Sequence, residues 1–139
     1  MKNIQLAGCI IKDGQGKILL LHRNTPKRTQ WEIPGGKIEE NEDPFVAAER
    51  ELLEELGIKV KVEKELGSKS FVEDDYTMEY VWFSAVVKSG VPKVMEPHVH
   101  DDFRFFDVAA LEGMTHELSP NTQNFLKELQ AGRIEFMVS

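Results

Sequence analysis

The chain has 139 residues and a mass of 15.9 kDa, the length of one domain that buries roughly 65–70% of the surface its unfolded chain exposes. Hydrophobic residues make up 41% and charged residues 29%, which excludes global disorder. The 17 basic and 24 acidic residues give a net charge of −7. Sequence-independent binding of a nucleic-acid polymer or an anionic membrane is therefore disfavoured, and a phosphate ligand calls for a cation.

No apolar run approaches a membrane span, and the N-terminus, Met-Lys-Asn-Ile-Gln, lacks a signal-peptide core. The expectation is a cytoplasmic protein, a monomer or a homodimer. The single cysteine, Cys9, lies between Gly8 and Ile10 and reads as a small buried hydrophobe.

In chain order, Ile4 to Ile11 is apolar and β-branched. The turn signal Asp13-Gly14-Gln15-Gly16 follows, and then Lys17 to His22, so the segment reads as a β-hairpin. Asn24 to Gln30 reads as a loop and Trp31 to Ile33 as a short strand broken by Pro34-Gly35-Gly36. A helix is predicted over Pro44 to Leu56, with Asp43 as N-cap and Gly57 just past its end. Ile58, Val60 and Val62 alternate as a half-buried strand. Tyr76 to Val87 and Phe103 to Phe106 are further strands. Ser119-Pro120 opens a second helix that Gly132 closes, and Ile134 to Val138 forms a last strand or a docked tail. This order predicts an α/β (α+β) sandwich with a mixed β-sheet and a single domain over residues 1–139.

On a helical wheel Glu51, Glu54 and Glu55 share one arc of about 100°, with the small residues Pro44, Ala47 and Ala48 on the same side. Phe45, Val46, Leu52, Leu53 and Leu56 form the stripe expected to face the core. Glu49 falls inside that stripe, where it needs an outward lean or a hydrogen bond. Residues 36–58 hold eight acids and two bases, −6 of the total −7. So dense a carboxylate cluster beside a Gly-Gly turn suits a hard divalent cation.

The spacing is Gly36-x5-Glu42-x7-Arg50-Glu51-Leu52-x-Glu54-Glu55-x-Gly57-Ile58. It resembles the Nudix box, the signature of hydrolases that act on nucleoside diphosphates linked to another moiety, at every defined position. The flanking Trp31 to Glu39 resembles the MutT branch. The resemblance implies an α/β/α sandwich that binds Mg²⁺ or Mn²⁺ and hydrolyses a phosphoanhydride. It implies Glu51, Glu54, Glu55 and the Gly35 carbonyl as metal ligands, and Arg50 as the residue that orients a carboxylate. Glu42 would bond within the loop or reach a second metal through water.

A general base is still needed. In MutT-like enzymes a Glu from a loop beyond the box joins the site, and Glu96, 38 residues after Ile58, is the match, as a catalytic residue and a further metal ligand, with Asp101 and Asp102 as rivals for the base. His98 and His100 read as a surface pair, less suited than carboxylates to Mg²⁺. Arg23, Gly36 and Lys37 are candidate phosphate contacts. Phe71, Tyr76 and Trp82 are candidates for a base pocket, and Asn121 matches an Asn that reads a guanine-type base in the MutT branch.

The substrate expected is a small nucleotide, a standard, oxidised or otherwise non-standard nucleoside triphosphate, cut to monophosphate and pyrophosphate. Alternatives are a dinucleoside polyphosphate, for which Tyr76 fits by position, and a nucleotide sugar or ADP-ribose. The ADP-ribose class tends to carry a Pro soon after the box, and none occurs between Pro44 and Pro92. A further alternative is a nucleotide-binding domain without turnover, which would have no need of the full carboxylate set.

Overall fold

The computed structural model describes residues 2–136. Its first strand, β1 (Lys2–Ile10), lies inside a four-stranded sheet and is buried on both faces from Leu6 to Ile10. There it runs parallel to β6 (Tyr76–Ser89) and antiparallel to β4 (Gly35–Lys37). A long β5 (Lys59–Glu73) closes the sheet at the far edge of β6, giving the order β4-β1-β6-β5. The second sheet is antiparallel, with order β3-β2-β7, built from β2 (Ile18–Asn24), β3 (Thr29–Glu32) and β7 (His100–Phe106).

The predicted hairpin is therefore only a turn. Asp13 and Lys17 close it, Leu19 N–H donates to Ile11 O, and the two strands then part into different sheets. Both edges of β1 are taken by β4 and β6, and both edges of β2 by β3 and β7, so neither has an edge left for the other. The predicted loop over 24–30 is shortened by β3. Pro34, which has no N–H to donate, sits between β3 and β4, where the chain crosses from one sheet to the other.

The period-two alternation of β1 sends residues to two cores. Leu6 and Ile10 join Ile18, Leu20, Trp82 and Phe125 on one side, and Ala7, Cys9 and Ile11 join Leu19, Leu21, Leu52 and Leu56 on the other. The first core is capped by α3 (Pro120–Gln130), the second by α1 (Pro44–Leu56). The result is the helix–sheet–helix layering expected of the sequence. A short α2 (Val108–Leu111) and a 3₁₀ stretch over Glu112–Glu117, which the sequence reading does not include, lead into α3. Ile134 docks against Trp82 and Gly67, and Phe136 lies edge-on to Phe125, so the segment is a tail over 134–136; Met137 and Val138 lie outside the described residues.

The caps of α1 are those predicted. Asp43 accepts from the Phe45 amide at 3.1 Å, and Gly57 adopts φ +68° while its N–H donates to Leu53 O. The orientation of the helix is a correction. Ala47, Ala48, Leu52, Glu55 and Leu56 are the buried residues, whereas Phe45, Val46 and Leu53 are each 49% exposed. Ala47 and Ala48 let the helix approach β1 and β4 closely, and this rotation turns Glu55 inward rather than Phe45. Glu49 finds the hydrogen bond it needs: its carboxylate accepts from the Val62 amide at 3.0 Å, beside an irregularity in β5.

Candidate active site

The site forms where α1 packs beside the short strand β4. Glu55 is buried at 5% exposure, and its carboxylate accepts the Gly35 N–H at 2.8 Å. Burial, reinforced by the charges of Glu51 and Glu32, pushes its carboxyl well above the usual carboxylate range; the Gly35 hydrogen bond opposes this only in part. Glu51 is also raised, by burial first and by the neighbouring Glu54 second. Its carboxylate lies against Gly36, where an added Cβ would stand 2.5 Å from Glu51 Cδ. The glycine makes room for the acid. Glu54 is half exposed.

Arg50 organises this face. Its guanidinium donates to Glu42 at 2.9 and 3.0 Å, to Glu54 at 3.0 and 3.2 Å, to Glu51 at 3.2 Å and to the Lys37 carbonyl at 3.0 Å. Only a planar fork of donors can hold four partners at once. These bonds, with the Glu39 amide at 2.9 Å, hold the Glu42 carboxyl down to about 2. Glu42 thus makes the loop hydrogen bond expected of it.

Glu96 reaches the site through the loop after β6. Lys93 N–H donates to Leu56 O and Met95 N–H to Glu55 O, which docks the loop on the end of α1. The Val99 and His100 amides then both donate to Glu96 O. A carboxylate oxygen of Glu55, one of Glu96 and a ring nitrogen of His100 all lie within 4.8 Å of one another. His100 is therefore not half of a surface pair: it is 1% exposed, while His98 is exposed. Its Nε2 meets Glu32 Oε1 at 3.4 Å, and its Nδ1 has no hydrogen-bond partner among the described residues. An unsatisfied buried group of this kind costs about 1–3 kcal/mol unless something fills it.

Glu32 is a hub that the sequence reading leaves unassigned. It accepts from Arg23 at 3.0–3.1 Å and from Gln30 at 3.1 Å, besides its His100 contact. Burial works to raise its carboxyl, but these hydrogen bonds and the Arg23 charge outweigh it and hold it below the ordinary value. The signal available in sequence is the alternation Arg23, Gln30, Glu32, which becomes meaningful only once β2 and β3 are paired.

The other candidates divide. Arg23, Gly35, Gly36, Lys37, Phe71 and Asn121 line one cavity of about 280 Å³ beside the box, together with Met78 and Tyr80. Arg23 reaches it while tied to Glu32. Tyr76 is not among the lining residues; it stands exposed at the start of β6, paired with Lys2 and Glu73. Trp82 is fully buried, and its Nε1–H donates to Asn121 Oδ1 at 2.9 Å. Asp101 pairs with His22 at 2.6 Å and with Asn24, and Asp102 pairs with Arg104, so neither rival base joins the carboxylate group.

The donor set fits a divalent cation: Glu55 and Glu96 lie close together beside His100, whose Nδ1 has no hydrogen-bond partner among the described residues, and Glu55 and the neighbouring Glu51 on the same helix are both raised by burial and by nearby carboxylates. A family model for the NUDIX domain matches residues 3–129, and the chain belongs to that family.

The chain is 34% identical over 82 residues to an RNA pyrophosphohydrolase of Bartonella henselae, covering 53% of this chain and 46% of that one. It is 39% identical over 61 residues to an 8-oxo-dGTP diphosphatase of Proteus vulgaris, covering 42% and 54%. The chain thus spans about half the length of the curated relatives it matches. Among solved structures, a MutT protein from Methanosarcina mazei Go1 shares the fold with a TM-score of 0.83, at 22% identity over 96% of this chain and 97% of that one. The E. coli ORF135 protein gives 0.77, at 28% identity over 96% and 92%.

Proposed function

We propose that this chain, acting as a single domain, is a Mg²⁺- or Mn²⁺-dependent pyrophosphohydrolase that cuts a nucleoside triphosphate to the monophosphate and pyrophosphate. The observation that carries the reading is the cavity beside the box. Its lining combines Gly35, Gly36, Lys37 and Arg23, groups suited to phosphates, with Phe71, Met78 and Asn121, groups suited to a base.

The orientation of Asn121 supports a particular kind of base. An indole N–H can only donate, so the bond from Trp82 fixes Oδ1 inward and leaves the amide NH₂ for the cavity. Such a group selects a base edge that carries acceptors, as an oxopurine does. The name of the Proteus vulgaris relative, 8-oxo-dGTP diphosphatase, agrees with that choice.

Glu51, Glu54, Glu55 and Glu96, with the Gly35 carbonyl, would hold the cation. When bound, it offsets the negative charge of the site and of the phosphates and makes water more acidic. Arg50 holds Glu54 and Glu42 in place, so the carboxylate face keeps one geometry. Lys37 and Arg23 orient the phosphate chain. Glu96 takes the proton of the water whose oxygen forms the new P–O bond. The α–β anhydride P–O bond breaks, and its electron pair leaves with pyrophosphate.

The test is a substrate panel with Mg²⁺: the common nucleoside triphosphates, 8-oxo-dGTP, ADP-ribose, diadenosine tetraphosphate, a nucleotide sugar and a 5′-triphosphorylated RNA, with products separated by anion exchange. Pyrophosphate plus a monophosphate from an oxopurine triphosphate supports the reading. Turnover confined to the dinucleotide, the sugar or the RNA moves the chain to that substrate. No turnover in Mg²⁺ or Mn²⁺ makes it a binding domain.

A further inference from the structure

We propose that His100 supplies a nitrogen ligand, through Nδ1, to the divalent cation shared by Glu55 and Glu96, and that it biases the site toward Mn²⁺ over Mg²⁺. The proposal rests on the metal reading above and goes beyond the carboxylates of the box.

The chemistry of the ring decides which nitrogen is available. Nε2 faces Glu32 Oε1 at 3.4 Å, and an ionised carboxylate only accepts, so Nε2 carries the hydrogen. In a neutral imidazole Nδ1 is then a bare lone pair. It is buried, with His100 1% exposed, and nothing among the described residues donates to it. A carboxylate holding one nitrogen of a histidine, with the other free, is the arrangement that fixes a metal-binding tautomer.

The backbone sets the rest. The His100 amide donates to Glu96 O, and Met95 N–H donates to Glu55 O, so the three side chains are brought together by main-chain bonds that need no metal. Glu32 is itself held by Arg23 and Gln30, which fixes the ring from behind. Both Mg²⁺ and Mn²⁺ are served by carboxylate oxygens, but an imidazole nitrogen is a softer donor and adds more to Mn²⁺, a transition ion, than to the harder Mg²⁺.

The experiment is pulsed electron paramagnetic resonance of Mn²⁺ bound to the full chain, without nucleotide, in wild type, His100→Gln and His98→Gln. Mn²⁺ and Mg²⁺ affinities are measured in parallel by calorimetry. The expected result is ¹⁴N coupling from an imidazole in wild type and in His98→Gln and its loss in His100→Gln, which still binds Mn²⁺. Mn²⁺ affinity should fall about tenfold or more in that variant, and Mg²⁺ affinity should fall less. Bound Mn²⁺ without nitrogen coupling in wild type, or coupling that survives in His100→Gln, overturns the proposal and leaves the carboxylate site standing. No Mn²⁺ binding at all overturns both readings. The wild-type spectrum is decisive even where His100→Gln fails to fold.

Discussion

The Gly35 amide donates to the Glu55 carboxylate at 2.8 Å, across twenty residues of sequence and from strand β4 to helix α1. One hydrogen bond thus seats a buried acid against the glycine turn that is expected to supply a metal-binding carbonyl. Glu55 carries most of the cost of that burial, because its carboxyl is raised by desolvation and by Glu51 and Glu32.

Glu55→Gln should therefore separate folding from metal binding. The amide keeps an oxygen for the Gly35 N–H and removes a buried charge, so the metal-free variant should melt within about 1 kcal/mol of wild type or above it. The rise in Tm on adding Mn²⁺, which reports binding to the native state, should be largely lost. Thermal melts with and without Mn²⁺ check both halves.

The two glycines of the turn should respond differently to alanine. At Gly36 the three atoms nearest the new Cβ all belong to the Glu51 carboxylate, the far end of a flexible side chain that can swing away, so the fold should survive with metal affinity reduced. At Gly35 it would stand 2.4 Å from Ala7 O and 2.5 Å from Gly8 Cα, and backbone cannot step aside. Gly35→Ala should cost about 3 kcal/mol or more of stability. Chemical denaturation of both variants, beside a Mn²⁺ titration, measures the contrast.

Asn121 offers a matched pair. Asn121→Asp keeps an acceptor for Trp82 Nε1–H but replaces the NH₂ donors in the cavity with a second acceptor. Asn121 is 6% exposed, so the new charge should lower stability near neutral pH and the loss should recover as the carboxyl is protonated at acid pH, while kcat/KM for an oxopurine triphosphate falls about 10- to 100-fold. Asn121→Leu strands the indole N–H in the core and should cost about 1–3 kcal/mol in addition. Steady-state kinetics and melts on the two variants distinguish recognition from packing.

Cys9 should be silent to thiol reagents. It is fully buried, and desolvation, with the Glu49 and Glu55 charges behind it, pushes its thiol up to about 12 from an unfolded value of 9.0. Between those values the native thiol keeps its proton and the unfolded one loses it. The native state then binds more protons, and stability falls as pH rises, by about 1.4 kcal/mol per unit for this group. Below pH 9 its contribution is flat. Cys9→Ala should lose that part of the slope in denaturation curves taken from pH 8 to 11. Wild type should react with a thiol reagent at pH 8 only after unfolding.

Local signals made helix α1 legible from sequence. Asp43, Pro44 and Gly57 act within a few residues of themselves, and the box spacing brings Glu51, Glu54 and Glu55 to one side of a helix before any tertiary contact forms. What lay beyond reach was pairing and rotation. The residues from Ile4 to His22 look like a hairpin because the turn is real, yet both strands are claimed by other partners.

The wheel turns Phe45, Val46 and Leu53 toward the core by hydrophobicity alone. The structure instead buries Ala47, Ala48 and Glu55, because close approach to β1 and β4 outweighs apolar area there. Glu32 and His100 acquire meaning only through contacts 68 residues apart in sequence.

The most direct test of the proposed chemistry is pyrophosphate release from a nucleoside triphosphate in Mg²⁺ by wild type and by Glu54→Gln. The Glu54 side chain is half exposed and, among the described residues, is bonded to Arg50 alone, so the substitution should leave the fold intact. The account predicts equimolar pyrophosphate and monophosphate from wild type, and a rate lower by a factor on the order of 10² or more in the variant. Orthophosphate in place of pyrophosphate, or a Glu54→Gln rate equal to wild type, would contradict it.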